Sequence, residues 1–186
     1  RIVMETFIDN GIYPIIKHMP GHGRVEVDPH LTLPYVDTPY ETLAAEDFIP
    51  FKELSDAPLA MNCHVVFRSL DEELPVSLSQ KVHKEIIRGE LDYRGLVISD
   101  DLAMGALTDP LSERSAKALD AGADIVMYCS GVLSEMESVI KTLPNATPEA
   151  VERWVKAKER VTGTGSSTII NLKEIEEKFR GFFKIG

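Results

Sequence analysis

The segment Ile12-Tyr13-Pro14-Ile15-Ile16-Lys17-His18-Met19-Pro20-Gly21-His22-Gly23 joins a short apolar run to a loop rich in glycine, proline and histidine. The apolar run predicts a strand, and the loop is too polar to belong to a core. A second segment, Gly95-Leu96-Val97-Ile98-Ser99-Asp100-Asp101-Leu102, is another apolar strand that ends in polar side chains. Barrels of alternating strands and helices build their active sites at the carboxyl ends of successive strands. The two segments therefore predict an α/β fold with a polar site at one end of its sheet.

Four continuous apolar runs predict the strands of this sheet, at residues 13–17, 59–66, 95–99 and 123–129. Such runs are typical of parallel strands that are covered on both faces. Helical patterns separate and follow them at residues 41–54, 79–88, 112–121, 132–143 and from Thr147 onward, and residues 1–10 resemble the end of a further helix. A complete (β/α)8 barrel takes roughly 250 residues. Four parallel strands therefore predict the C-terminal half of a TIM (β/α)8-type barrel, with a small open sheet as the alternative.

The whole chain, residues 1–186, is predicted to be a single partial domain that lacks the N-terminal half of the barrel. A stretch rich in glycine, serine and threonine, residues 163–168, predicts a flexible break. A final helix is predicted after it, over about residues 172–183.

Composition narrows the function classes. The chain has 20 basic and 30 acidic residues and a formal net charge of -10, which argues against nucleic-acid binding. No apolar run approaches the ~18 residues of a membrane span, and no signal-peptide pattern is visible. Both cysteines, Cys63 and Cys129, lie in apolar runs, which predicts small buried residues in a reducing compartment.

Four short motifs together resemble the family 3 glycoside hydrolases, and among them the bacterial β-N-acetylglucosaminidases of cell-wall recycling. The motifs are a Lys-His-x-Pro-Gly-His-Gly loop, an Asp-x-His triplet, a His-Val pair that ends a strand and a Ser-Asp-Asp-Leu-x-Met strand end. They stand here, in the same order, at residues 17–23, 28–30, 64–65 and 99–104. Two positions depart from the family pattern: Met19 replaces phenylalanine, and Pro29, which has no backbone N–H, replaces serine.

The resemblance implies which residues carry the reaction. Asp100 matches the nucleophile, and His30 matches a histidine acid/base that is paired with Asp28. A carboxylate beside an imidazole fixes its tautomer and raises its pKa toward the working pH. Neighbouring residues of a strand point to opposite faces, so only one of Asp100 and Asp101 can easily face the pocket, and Asp100 is favoured.

Four further residues are predicted to bind the substrate. Lys17 and His18 end their strand and should reach sugar hydroxyls. His64 ends another strand and is either a pocket residue or a satisfied core residue, and Met104 either lines the pocket or packs in the core. His22 is predicted to order its loop rather than to contact the sugar.

The predicted activity is retaining hydrolysis of terminal N-acetylglucosamine from peptidoglycan-derived muropeptides, with no cofactor and no metal. The expected partner is this small carbohydrate, without nucleic acid or membrane, in the cytoplasm. One alternative is an inactive or complementing half-barrel that self-associates or pairs with an N-terminal piece, since the resemblance places further sugar-binding residues in the missing half. Another is a metal-dependent hydrolase that uses His18, His22, Asp28 and His30. His83, in a helical pattern, is expected at the surface.

Overall fold

The structure, a computed structural model, describes residues 1–162. The predicted break at 163–168 and the final helix at 172–183 lie outside the described residues. Six strands are present in this part of the chain: β1 (Ile15–Met19), β2 (Tyr35–Val36), β3 (Leu59–Asn62), β4 (Val66–Phe67), β5 (Leu96–Asp101) and β6 (Ile125–Met127).

The central sheet has four parallel strands in the order β1-β3-β5-β6. All four come from the runs that the sequence predicts as strands. With helices between successive strands, the sheet corresponds to half of a (β/α)8 barrel, so the predicted fold class is confirmed. The predicted strand at 59–66 is divided into β3 and the start of β4, and β4 pairs in parallel with β2 in a second small sheet.

The helices mostly follow the predicted pattern. The α-helices are α1 (Ile2–Asp9), α2 (Tyr40–Thr42), α3 (Ile49–Glu53), α4 (Leu111–Ala121), α5 (Leu133–Thr142) and α6 (Pro148–Thr162). Two segments, Leu43–Asp47 and Val82–Glu90, are wound as π-helices, and Val76–Leu78 forms a 3-10 turn. No helix within residues 1–162 combines the length and apolar character needed to cross a membrane.

The core lies on both sides of the central strands. Every residue of β3 is buried, as expected for a parallel strand with two covered faces. Phe48, Ile87, Leu91 and Tyr93 are among the fully buried side chains of the main core. Because both faces of β3 are filled, the polar groups that follow this strand can reach a ligand only at its end.

Two residues differ in burial from their prediction. His83 is 2% exposed and not at the surface, because the apolar face of the helix Val82–Glu90 turns it inward with its neighbour Val82. Cys129 is exposed, because β6 ends at Met127, whereas Cys63 is buried as expected; both thiols are free.

One buried aspartate links three secondary-structure elements. The side chain of Asp124, 4% exposed, accepts hydrogen bonds from Arg88 Nη2 at 2.9 Å and from Arg153 Nη1 at 2.5 Å. It also accepts the backbone N–H of Val97 at 2.8 Å, so it links the helix Val82–Glu90, strand β5 and helix α6. Removing one member of a buried charge cluster leaves the others without a partner.

We expect Asp124→Ala to lower the free energy of unfolding by about 3 kcal/mol, because it leaves two partly buried guanidinium groups without their carboxylate partner. Urea unfolding followed by circular dichroism measures this. The matched control is Asp109→Ala, which removes an ion pair with Lys117 whose two side chains are 39% and 45% exposed. This control should lower the free energy of unfolding by at most about 1 kcal/mol. Equal losses in the two variants would contradict the role of Asp124 as the centre of a buried charge cluster.

Candidate active site

The register of the sheet brings the carboxyl ends of three neighbouring strands together. Met19 of β1 pairs with Asn62 of β3, and β3 pairs in turn with β5, which ends in Asp100 and Asp101. The polar residues that follow these strands therefore meet at one edge of the sheet.

Asp100 is the buried carboxylate of this edge. The residue is 8% exposed, and its Oδ2 lies 3.7 Å from Nε2 of His18, beyond hydrogen-bond distance. Its Oδ1 accepts the backbone N–H of Asp101 at 2.9 Å, and its own backbone N–H donates to Oδ1 of Asn62 at 3.2 Å. The backbone around this carboxylate is thus fixed, while one oxygen faces His18.

Asp101 has a different environment. Its Oδ1 accepts two backbone N–H groups, from Ala103 and from Cys129, both at 3.0 Å. These bonds hold the turn after β5 against the segment after β6. Burial, together with the charges of the two aspartates, raises the pKa of the Cys129 thiol, which stays protonated beside them. The structure therefore gives Asp101 a role in holding these two backbone segments together, and the role of Asp100 as nucleophile stays a prediction.

His18 faces Asp100 as a neutral ring. Burial lowers the pKa of His18, and this effect outweighs the opposing pull of the Asp100 carboxylate. The His22 ring lies 5.2 Å away, centroid to centroid. Lys17, one position earlier on the same strand, is exposed, and the peptide bond between Lys17 and His18 is cis.

His64 is fully buried, and both ring nitrogens are engaged. Its Nε2 lies 3.0 Å from the carbonyl oxygen of Asp101, which can only accept, so Nε2 carries the proton. Its Nδ1, 2.7 Å from Oγ of Ser77, then accepts from that hydroxyl. Burial lowers the pKa of His64 and keeps it neutral. In this structure His64 braces the end of β5; its predicted contact with substrate stays a prediction.

Asp28 and His30 form a hydrogen-bonded pair on an exposed loop. Oδ1 of Asp28 lies 2.7 Å from Nδ1 of His30 and also accepts the backbone N–H of His30 at 2.9 Å. These two bonds, the backbone one first, lower the pKa of Asp28. Because an ionised carboxylate only accepts, the proton sits on Nδ1, and Nε2 is left to exchange a proton with a ligand.

This loop is fastened to the turn that follows Asp100. The backbone N–H of Gly105 donates to the carbonyl of His30 at 3.0 Å, and that of Ala106 donates to the carbonyl of Pro29 at 3.1 Å. A Cβ at Gly105 would lie 2.7 Å from the His30 oxygen, so only glycine fits there. The proline therefore takes part in the anchor through its carbonyl, and the predicted acid/base loop and the predicted nucleophile belong to one assembly.

Met104 is 6% exposed and belongs to the same turn. Its backbone N–H donates to the carbonyl of Asp101 at 3.1 Å. Arg114 supports the turn from helix α4, since its Nη1 donates to the carbonyl of Leu102 at 2.6 Å. The contact of Met104 with substrate stays a prediction.

No three His, Cys, Asp or Glu side chains within residues 1–162 are grouped as a metal ion requires. His18 lies near the end of β1 and His22 in the loop that follows, while Asp28 and His30 pair with each other further along the chain. The donor set of the metal-hydrolase alternative is therefore not assembled in the part of the chain that the structure describes.

Sequence reasoning missed three supporting residues, Asn62, Ser77 and Arg114. Asn62 offered a signal, because it is a polar residue inside an apolar strand and a buried amide must be satisfied. Ser77 and Arg114 offered none, since each acts on groups that are distant in sequence.

Comparison with known proteins identifies the relatives of this arrangement. Residues 2–163 match the model of the glycosyl hydrolase family 3 N terminal domain. A β-hexosaminidase from Alkalilimnicola ehrlichii is 37% identical over 152 residues, covering 80% of this chain and 43% of the relative. One from Glaesserella parasuis is 37% identical over 171 residues, covering 85% and 49%. The chain thus spans less than half the length of these two relatives.

Solved structures of the same family resemble this fold. A family 3 β-N-acetylglucosaminidase from Paenibacillus sp. superposes with a TM-score of 0.79 at 29% identity, covering 90% of this chain and 34% of that one. NagZ from Neisseria gonorrhoeae, in complex with N-trifluoroacetyl-D-glucosamine, gives a TM-score of 0.69 at 31% identity, covering 86% and 47%.

We expect the carboxyl of Asp28 to titrate below the ordinary range of an aspartate, because His30 donates two hydrogen bonds to it. Carbon-detected NMR of the side-chain carboxyl across acidic pH measures this pKa. In His30→Ala the pKa should rise only part of the way, since the backbone N–H of residue 30 remains as a donor to the carboxylate. An ordinary pKa in the unaltered chain would contradict the pairing.

Proposed function

The chain belongs to glycosyl hydrolase family 3, and we propose that it carries the nucleophile and the acid/base of a retaining exo-β-N-acetylglucosaminidase. The observation that supports this most is the fastening of the Asp28–His30 loop to the turn after Asp100 by two backbone hydrogen bonds. A retaining glycosidase needs an anionic nucleophile and a proton donor held in a fixed relation across one glycosidic bond.

In the first step, an Asp100 oxygen bonds to the anomeric carbon while the glycosidic C–O bond breaks. The bonding electron pair leaves with the aglycone oxygen, which takes a proton from Nε2 of His30. In the second step, water bonds to the anomeric carbon and gives a proton back to Nε2, and the Asp100 ester bond breaks.

Asp28 supports both steps. It holds the proton on Nδ1 of His30 and stabilises the imidazolium form that the first step consumes. His18 is neutral and so does not pair with the Asp100 charge, which leaves the carboxylate available for attack.

The proposed substrate is N-acetylglucosamine linked to an anhydro-muramyl sugar or peptide from peptidoglycan. Relatives named β-hexosaminidase, and a neighbour crystallised with N-trifluoroacetyl-D-glucosamine, support the sugar. The resemblance to recycling enzymes and the two free cysteines support a cytoplasmic setting. Lys17 and His18 are proposed to bind the sugar hydroxyls from the end of β1.

We expect Asp100→Asn to lower turnover of an aryl N-acetyl-β-glucosaminide by at least about 10³-fold, because an amide cannot form the glycosyl ester. Asp101→Asn is the matched control, since its amide oxygen can still accept the two backbone N–H groups, and it should lose about tenfold or less. With a fluorinated N-acetylglucosaminide that slows the second step, mass spectrometry should find the sugar bound to the peptide containing Asp100. A label on another residue would contradict the assignment.

A second candidate function is a half-barrel that is active only with a partner piece. The exposed sheet edges favour it: Ile15 of edge strand β1 is 42% exposed, and Ile125 of edge strand β6 is 40% exposed. Helices α1 and α5 also expose Ile2, Val3, Leu133 and Ile140. Unpaired edges and apolar patches of this kind are sites of association.

Under this second function, turnover should appear only when an N-terminal half-barrel, taken from a β-hexosaminidase relative, is added to the chain. Light scattering should then show a one-to-one complex. Turnover that rises with the concentration of the chain alone would indicate self-association instead. Turnover without a partner, constant per molecule at all concentrations, would exclude the second function.

A further inference from the structure

We propose that Asn62 and His83 are positioning residues that hold Asp100 in its reactive place. His83 lies on the helix Val82–Glu90, Asn62 ends β3 and Asp100 lies near the end of β5. The three residues form one buried chain of hydrogen bonds, from a helix outside the sheet to the backbone of the nucleophile. The inference rests on the proposed function, in which Asp100 attacks the sugar.

The orientation of the Asn62 amide is fixed by the backbone. The N–H of Asp100, 3.2 Å from Oδ1 of Asn62, can only donate, so the oxygen of the amide must face it. The amide nitrogen then faces His83, and Nδ2 donates to Nε2 of His83 across 3.0 Å. Exchanging the two ends of the amide would set its NH2 group against the Asp100 N–H.

This orientation requires His83 to be neutral, because Nε2 must accept. Burial lowers the pKa of His83 to about 4, with the charge of Arg88 acting in the same direction and the backbone of Gly122 and the charge of Asp124 against it. The other charged groups that line the adjacent cavity are Lys84 of the same helix, Asp120 of α4, and Glu149 and Arg153 of α6. The ring is therefore held as an acceptor at neutral pH.

The other ring nitrogen of His83 takes no part in this chain of bonds. Its Nδ1 is buried without a hydrogen-bond partner of normal geometry and lies against Gly122, where a Cβ would come within 3.0 Å of it. An imidazole that leaves one polar atom unsatisfied packs less favourably than an aliphatic side chain. What it contributes in this position is the acceptor for Asn62.

The consequence for catalysis follows from the position of the Asp100 N–H. Without His83, the Asn62 amide loses the partner that fixes its rotation, and its oxygen no longer holds the Asp100 backbone. Misplacement of a reacting group lowers the rate more than it weakens substrate binding. Lys17 and His18, which are proposed to bind the sugar, are not part of this chain of bonds.

The test compares His83→Leu, which removes the acceptor, with His83→Gln, whose side-chain oxygen can accept from Asn62. Lys84→Gln, an exposed change on the same helix, is the control. In the ¹⁵N NMR spectrum of the chain, His83→Leu should move the Asp100 amide signal and speed its hydrogen exchange at least tenfold, and His83→Gln should restore most of both. In a folded His83→Leu protein, an unchanged Asp100 amide would overturn the proposal.

Turnover supplies the second readout. It is measured with the chain alone or with an added N-terminal half-barrel, whichever gives the unaltered chain activity. We expect kcat to fall about tenfold in His83→Leu with KM nearly unchanged, and the same loss to vanish in an Asn62→Leu background, since the two residues act through one chain. Unchanged kcat would overturn the catalytic role. If the unaltered chain shows no turnover under any condition, the proposed function fails, and the Asp100 amide alone decides whether the positioning chain exists.

Discussion

The parallel register of β1, β3 and β5 is the constraint on which the rest of the site depends. It sets the carboxyl ends of these strands side by side, so that His18, Asn62 and Asp100 meet although they are far apart in sequence. Core side chains cover both faces of β3, and the polar side chains that end these strands lie at one edge of the sheet. The hydrogen bonds of Asp101, Gly105 and Ala106 hold the neighbouring backbone segments against this edge.

The two adjacent aspartates, Asp100 and Asp101, differ in the backbone N–H groups that they accept. Asp101 accepts two of them and joins the segments after β5 and β6, whereas Asp100 keeps one oxygen directed toward His18. The alternation of a strand accounts for part of this difference, since it turns the two carboxylates to opposite faces. The rest comes from the turns, whose orphan N–H groups lie within reach of only one of the two.

The sequence was sufficient for the four strands of the central sheet, because continuous apolar runs are local signals. It separated Asp100 from Asp101 only through alternation and family resemblance. It was misleading for His83, since a histidine within a helical pattern is normally solvated, and its partner Asn62 lies on a different element. It also gave no sign of the β2–β4 pair or of the π-helical segments, which depend on contacts made only in the folded chain.

Burial separates the histidines His18, His64 and His83 from His30, whose side chain is exposed. His18, His64 and His83 have pKa values lowered first by desolvation, and near Asp100 that effect exceeds the attraction of the carboxylate. As neutral rings they add no positive charge beside the Asp100 carboxylate. His30 stands on an exposed loop, where its Nδ1 lies 2.7 Å from the carboxylate of Asp28. Desolvation therefore keeps the rings of His18, His64 and His83 uncharged, whereas the side chain of His30 stays in contact with water.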